Sequence, residues 1–502
     1  MNKFSKKGFG SSQVREDETS NKPTSTFKRD ERPNPIYKKY SVEDITDLIT
    51  EDCIAYYDAD TLYHQAASNQ QIKFITVKHK TENWTEEFAG VKVFRGLGKG
   101  IKPDSWLGRK NLEREVEGHT PYELEDFEIE DGLRLKGEED ECMEKAKIEI
   151  YRKLKRVREQ FKIPKIVTVI GEGDNFRHEL DLCRPYKGER KKTLKPLLAP
   201  ALREWGVKEL GAIITPKSAT HGVIETDDYV DMKGFEGALH YRKHGKFNII
   251  AILSDKDGYN APKLLCNPDT YNKDHPQGGK FKYPQAVIVP NTTECAGDIE
   301  MIAREKSTDY KFIGCKGLLF QLLSFDGADC YSALGHLNGG MGFGADSAYK
   351  VLKPCKTAKE SIQATVDVFA ELLPYGVQYK NHKGDFLDVD TMTYINTYFR
   401  VVYMLRKLDG DTMDFYKLCE GFKVDTSKVV GNNKLTPPVK TFVGNEDHLK
   451  ELEVLIQDIL ENNVKGLKSK KKSDQAPMID QIKEKLESIN FDSHYEMIQK
   501  EK

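Results

Sequence analysis

The stretch IETDDYVDMKG, residues 224–234, places Glu225, Asp227 and Asp228 within four residues, immediately ahead of an amphipathic helical pattern. Acids suit the first turn of a helix, where unpaired N–H groups carry partial positive charge, so capping alone explains any one of them. Together they have a second chemistry. Crowded carboxylates repel and shift one another's pKa values unless a cation intervenes. Comparable acids recur as Asp58 and Asp60 in YYDADTLYHQA, Glu172 and Asp174 in VIGEGDNFR, and Asp255 and Asp257 in ILSDKDGYNAP. Oxygen ligands without nearby Cys or His suit Mg²⁺ or Mn²⁺ rather than zinc.

Whether these acids meet depends on the elements that carry them. Four short apolar runs, CIAYY (53–57), KIVTVI (165–170), GAIIT (211–215) and NIIAIL (248–253), read as strands buried on both faces, with AVIVP (286–290) as a fifth. Helical patterns fill most gaps. The clearest spans residues 138–161, where Met143, Ala146, Ile150, Leu154, Val157 and Phe161 recur at spacings of three and four. Strands alternating with helices predict an α/β fold with a mostly parallel central sheet flanked by helices. Ligand sites in such sheets form beyond the carboxyl ends of the strands. The acids follow the first, second and fourth strands, and residues 225–228 open the helix before the fourth. They converge on one edge.

A basic run lies just after the second strand. CRPYKGERKKTLK (183–195) sets Arg184, Lys187, Arg190, Lys191, Lys192 and Lys195 against a single acid, Glu189. Such a run is often a solvated face; beside an acid-lined edge it suits a phosphate clamp, with Tyr186 placed to stack on a base. Further along, residues 322–353 hold Asp326 and Asp329, then glycines at 339–344, then a helical pattern with Ala348, Val351 and Leu352. Glycines let backbone N–H groups approach phosphates, and a following helix N-terminus favours the anion.

The organisation predicted is a disordered segment at 1–40, an α/β core at 41–317 and a hairpin element at 318–355. A helical region at 356–464 and a basic linker with terminal helix at 465–502 follow. Residues 68–137 interrupt the core as an insertion, with FITVKHK (74–80) and VKVFRG (91–96) as extra strands. Beyond residue 356 one stripe runs Ile362, Val366, Phe369, Leu373 and another runs Leu449, Leu452, Leu455, Ile456, Ile459; the terminal helix carries Ile482, Leu486 and Ile489. The chain has 502 residues, 31% of them charged, and a net charge of −2, so any nucleic-acid surface must be local. No apolar run approaches a membrane span. The first residues lack the apolar block of a signal peptide, and nine scattered cysteines fit reduced thiols, which together predict a cytoplasmic protein.

At these residues the chain resembles the 5′-nuclease superfamily: flap endonucleases, the 5′-nuclease domain of bacterial DNA polymerase I, and bacteriophage 5′→3′ exonucleases. The likeness runs in order through YDADTL, FRHELDLCRPYKGER, ETDD, SDKD, DGADCYSAL and the glycine hairpin, covering roughly residues 50–68 and 138–353. The phage branch is nearest, through DAD and the long helix before the second strand, which would place the protein in the host cytoplasm. The resemblance implies that Asp58, Glu225, Asp227, Asp228, Asp255, Asp257, Asp326 and Asp329 bind two Mg²⁺ or Mn²⁺ ions, with Asp58 and Asp228 also counted as catalytic. Lys187 and Arg190 would meet the scissile phosphate. Arg177, Arg184, Tyr186, Lys191, Lys192, Gly342 and Gly344 would contact DNA. Residues 339–352 match the family's helix-hairpin-helix element, which also holds a monovalent cation such as K⁺.

Two departures stand out. The carboxylate after the second strand is usually Asp, whereas here Glu172 aligns and Asp174 follows, so both are candidate ligands. The hairpin carries extra residues (LNGGMGFGA). The implied substrate is DNA with 5′ ends, flaps or RNA primers, cut in primer or flap removal or end resection, with a replication-protein partner for the C-terminal tail and no membrane. The rival readings are a PIN-type ribonuclease and a catalytically silent DNA-binding scaffold.

Overall fold

The computed structural model describes residues 39–188, 193–268, 285–303, 308–324, 333–335 and 343–432. All fall in the first of two compact units, Met1–Lys434; the second, Leu435–Lys502, lies outside them, as do the expectations for the N-terminal segment and for the tail.

The centre is a seven-stranded sheet. With strands numbered along the chain, its order is β1 (Ser41–Val42), β10 (Gln285–Val289), β9 (Lys263–Asn267), β8 (Phe247–Ile252), β2 (Ile49–Asp58), β6 (Lys165–Ile170), β7 (Ile213–Ile214). The run from β9 to β7 is parallel throughout, and β10 and β1 extend one edge antiparallel. The β-branched strands at its centre are covered on both faces, as a parallel sheet requires. On one face α1 (Asp60–Ser68), α4 (Glu139–Phe161) and α5 (Ala199–Leu210) pack, with Ala146, Ile150, Val157 and Phe161 against Ile250, Ile252 and Leu264. On the other lies α6 (Thr226–His244), whose Val230 joins Ala251, Leu265 and Val169. Gly237 lets α6 sit directly on β8, because a Cβ there would run into the Ile249 carbonyl.

The insertion forms its own antiparallel sheet, β4 (Thr85–Phe88), β3 (Gln71–His79), β5 (Phe127–Leu135), with α2 (Val91–Arg95) and α3 (Trp106–Val116). Its small core gathers Ile75, Val77, Phe88, Phe94, Leu107 and Phe127. Of residues 91–96, expected as a strand, Val91–Arg95 form instead the short helix α2. Its Phe94 is fully buried against Phe88 and Phe127, so packing overrides the β-branched local preference.

Beyond β10 come the hairpin of β11 (Asp298–Ala303) and β12 (Thr308–Ile313), then α7 (Cys315–Ser324), α8 (Ala345–Leu352) and α9 (Ala358–Leu372). A second hairpin, β13 (Val377–Lys380) and β14 (Phe386–Val389), precedes α10 (Thr391–Val402) and α11 (Phe415–Phe422). The stripe of Ile362, Val366 and Phe369 is buried as expected; the second hairpin was not anticipated. Among the described residues no helix is long and apolar enough to cross a membrane.

Candidate active site

Glu225 is the N-cap of α6, and it and Asp228 cap each other reciprocally, the Glu225 N–H donating to Asp228 Oδ2 at 3.3 Å. The capping chemistry that explains acids at a helix start is therefore present. It does not account for all three. The side chains of 225, 227 and 228 have separate fates.

Asp228 turns into the protein. Its two oxygens take the Arg177 fork at 2.6 and 2.9 Å, and both side chains are fully buried. Arg177 also donates to the Val401 carbonyl at 3.1 Å and the Tyr403 carbonyl at 3.0 Å. Burial works against its charge, but Asp228 and Glu225 outweigh that and hold the guanidinium above its ordinary pKa. The structure thus places Arg177, expected as a DNA contact, as a fully buried cation, and Asp228, expected as a metal ligand, with both oxygens on that cation.

Glu225 is also engaged. Lys187 Nζ lies 2.5 Å from Oε1, Asn175 Nδ2 donates to Oε1 at 2.9 Å, and the Tyr186 hydroxyl donates to Oε2 at 3.0 Å. Burial pushes its carboxyl up, but Arg177 and Lys187 prevail and hold it below the ordinary value. Tyr186, expected to stack on a base, is only 6% exposed here and is a buried hydrogen-bond donor to this carboxylate. Lys187 sits at φ +50, in the left-handed region that residues with a Cβ seldom adopt. That turn carries its ammonium onto the acids. Arg184, three residues earlier, is exposed.

Asp227 is different. It faces Asp58 at the end of β2 and Asp255 just beyond β8, and burial first, then Asp58, Asp255 and Glu225, push its pKa well above the ordinary value. Asp58 rises to about 7, through burial and then Asp60. Asp227 Oδ1 is buried with no hydrogen-bond partner among the described residues. Asp257 rises to about 6, through burial and the Asp255 charge, while Gln321 Nε2 donates to its Oδ1.

A polar knot holds this geometry. Asp60 accepts from the Gly171 N–H at 3.0 Å and from the Thr226 hydroxyl, and Arg203 bridges Asp60 to the Gly171 carbonyl. It ties the ends of β2 and β6 to the first turn of α6. Gly171 is required for the approach, since a Cβ there would come within 2.8 Å of Thr226 Oγ1. Behind α6, Lys263 joins Asp231 to the Gly258 carbonyl in the turn that follows Asp257.

The remaining expectations divide. Glu172 pairs with Lys217 at 3.5 Å, and Asp174 is fully exposed near His178. Neither is drawn in among the acids described. Gly344 caps α8 with open space where a Cβ would stand. Arg190, Lys191, Lys192, Asp326, Asp329 and Gly342 lie outside the described residues. Among the described residues no group of three or more carboxylate, histidine or cysteine side chains is set to hold a metal ion. The donor chemistry still fits one. Asp58, Asp227 and Asp255 are all-oxygen donors whose charges act on one another, and Asp227 Oδ1 is buried without a hydrogen-bond partner among the described residues. A divalent cation would offset that repulsion.

Sequence reasoning missed the knot's Arg203 and the support from Asn175, Gln321 and residues 401–403. Arg203 carried no signal, being one arginine on an ordinary helix. Backbone carbonyls such as those of Val401 and Tyr403 leave none at all. Comparison with protein-family models, curated proteins and solved structures finds no match.

Proposed function

We propose that the chain is a metal-dependent phosphodiesterase of the 5′-nuclease type, acting on DNA with 5′ ends, flaps or RNA primers. The observation that carries this reading is the meeting of Asp58, Asp227 and Asp255 beyond the ends of the central strands, with Lys187 bearing on the same group. Asp58, Asp227 and Asp255 would hold a divalent cation, Mg²⁺ or Mn²⁺, and Asp257 would stand beside it, oriented by Gln321. When bound, two such ions would lower the pKa of water and neutralise the phosphate under attack. The second ion's ligands, Asp326 and Asp329, are carried by the resemblance alone.

The chain's own cations supply the rest. Lys187, released from Glu225 toward a substrate, is placed to meet charge that develops on phosphoryl oxygens, where a fixed cation acts most strongly. Glu225 serves as its holder. Arg177 and Asp228 fix the first turn of α6, so that Asp227 keeps its place. The helix-hairpin-helix role of residues 318–355 rests on the pattern of glycines and acids. Cleavage of labelled DNA and RNA substrates with and without Mg²⁺ tests the reading: Mg²⁺-dependent cutting of 5′-flapped DNA is expected. RNA-only cutting would favour the PIN-type ribonuclease, and binding without cutting the silent scaffold.

A further inference from the structure

Two arginines stand against the Phe176 ring, and they are treated differently. Arg177 Cζ lies 4.7 Å from the ring centroid and Arg400 Cζ lies 5.9 Å from it. Arg177 is saturated by Asp228, Glu225 and two carbonyls. Arg400, two residues before the end of α10, is half-buried, and among the described residues its buried Nε has no hydrogen-bond partner. Among the described residues no carboxylate pairs with it. Burial and the neighbouring Arg177 both lower its pKa. A partly desolvated cation beside a second cation, with no anion to offset it, is unfavourable unless something else completes it.

Its position says what that is. The contacts run from Arg400 across Phe176 to Arg177, from Arg177 to Glu225 at 3.4 Å, and from Glu225 to Lys187 at 2.5 Å. Lys187 is the cation whose charge reaches Asp227. Among the described residues Arg400 is thus a guanidinium without a paired carboxylate, contributed by the C-terminal helical region and linked through Phe176, Arg177 and Glu225 to Lys187. Guanidinium is suited to phosphate, because its planar fork matches two phosphate oxygens. We propose that Arg400 binds a backbone phosphate of the DNA strand entering at Lys187, one or more nucleotides from the bond that is cut. This rests on the nuclease reading, and it gives the region beyond residue 356 a part in substrate binding. Arg400 is assigned to affinity, not to the chemical step.

The test uses the full chain and a 5′-flapped DNA, with Ca²⁺ replacing Mg²⁺ for binding and Mg²⁺ restored for single-turnover cleavage. R400M keeps the aliphatic stem on Phe176 and removes the charge; R400K restores a point charge. Expected for R400M are affinity weakened about tenfold, a plot of log Kd against log salt shallower by about one unit, and cleavage at saturation within about twofold of wild type. R400K should recover the salt slope. An R400M protein with wild-type affinity and slope overturns the proposal. A second measurement needs only the unaltered protein: phenylglyoxal should modify Arg400 in the free chain and be blocked by DNA, with Arg177 unreactive in both. Equal modification with and without DNA also overturns it. If the unaltered chain neither binds the DNA nor cuts it, the nuclease reading fails as well; if it does both and Arg400 changes nothing, only this inference falls.

Discussion

Asp227 and Asp228 are adjacent on one helical turn, carry the same group, and lead opposite lives. Asp228 faces the C-terminal region, where Arg177 fills both of its oxygens in a fully buried fork. Asp227 faces the ends of β2 and β8, where it meets other acids and keeps an oxygen without a partner among the described residues. A buried pair of opposite charges is complete and has nothing left to bind. A buried group of like charges is incomplete, and its instability is a capacity for cations. The side of α6 that looks most charged in sequence is therefore split into a fastening and a site.

The sharpest way to break this contrast is Asp227→Asn. Under the nuclease reading it should lower Mg²⁺-dependent cleavage by about 10³-fold or more, the upper range for losing one electrostatic contact in a reaction centre. The metal-free protein should melt no lower, because a repulsive charge is removed. The pH dependence carries the same sign. Asp58 ionises at about 7 in the folded chain against an ordinary value of 3.8, so across that interval the folded state holds more protons than the unfolded one. Stability of the metal-free protein should then fall as pH rises from about 4 to about 7, since the extra binding lies with the native state. Urea denaturation in EDTA across pH 4.5 to 8 measures this, and Asp58→Asn should flatten the curve. A stability that rises through that range would remove the basis for a crowded acid group.

Asp228→Asn should do the reverse. It leaves Arg177 buried and undercharged, which typically costs about 3 kcal/mol or more in folding stability. Replacing both partners, as in Arg177→Met with Asp228→Leu, should cost less than the single change, because no lone charge is left behind. Should Asp228→Asn instead fold as well as wild type yet lose metal-dependent cleavage, Asp228 belongs to the site and the contrast is void.

These outcomes turn on geometry that the sequence conveyed unevenly. The strands at 53–57, 165–170 and 248–253 were legible because a parallel strand buried on both faces needs an unbroken β-branched run. Their order placed Asp58, Asp255 and Asp257 on one edge. The fully buried strand β9, with its run KLLCN, was missed, since three apolar residues beside a lysine do not announce that the lysine is itself buried against Asp231. Adjacent acids on a first helical turn share a pattern, and only tertiary contacts decide which of them meets Arg177. The same limit hid the partnership of residues 176–187 with residues 377–405, more than 180 positions apart. Nothing local in FRHELDLCRPYK says that Tyr398 will bond the Cys183 N–H or that Asn381 will bond Asp181.

A smaller effect separates Lys187 from its holder. Lys187→Ala should lower kcat by about 10²-fold with a lesser rise in KM, as for a cation whose contact strengthens with developing charge. Glu225→Gln should be milder than Asp227→Asn, because Glu225 orients a cation and Asp227 would hold the metal. Single-turnover rates at saturating DNA distinguish the two. If Glu225→Gln matches Asp227→Asn in severity, Glu225 leaves Lys187 when substrate binds and becomes a ligand itself.

The smallest expected change comes from Tyr186→Phe, and it separates two roles for one ring. A tyrosine that stacks on a base would lose nothing when its hydroxyl goes, because the aromatic face remains. A buried tyrosine whose hydroxyl donates to Glu225 Oε2 at 3.0 Å loses a hydrogen bond to a charged acceptor. Such a bond contributes about 1.5–3 kcal/mol where it is buried. Arg177 and Lys187 remain on the same carboxylate, so the loss should fall at or below the lower end of that range. The expected result is a melting temperature lowered by a few degrees, a cleavage rate reduced several-fold, and DNA affinity unchanged. Glu225 would then hold Lys187 less firmly, which acts on the rate rather than on binding. Weaker DNA affinity at an unchanged rate and stability would instead show that Tyr186 leaves its buried place to meet the substrate, and the closed side of α6 would have to open for it.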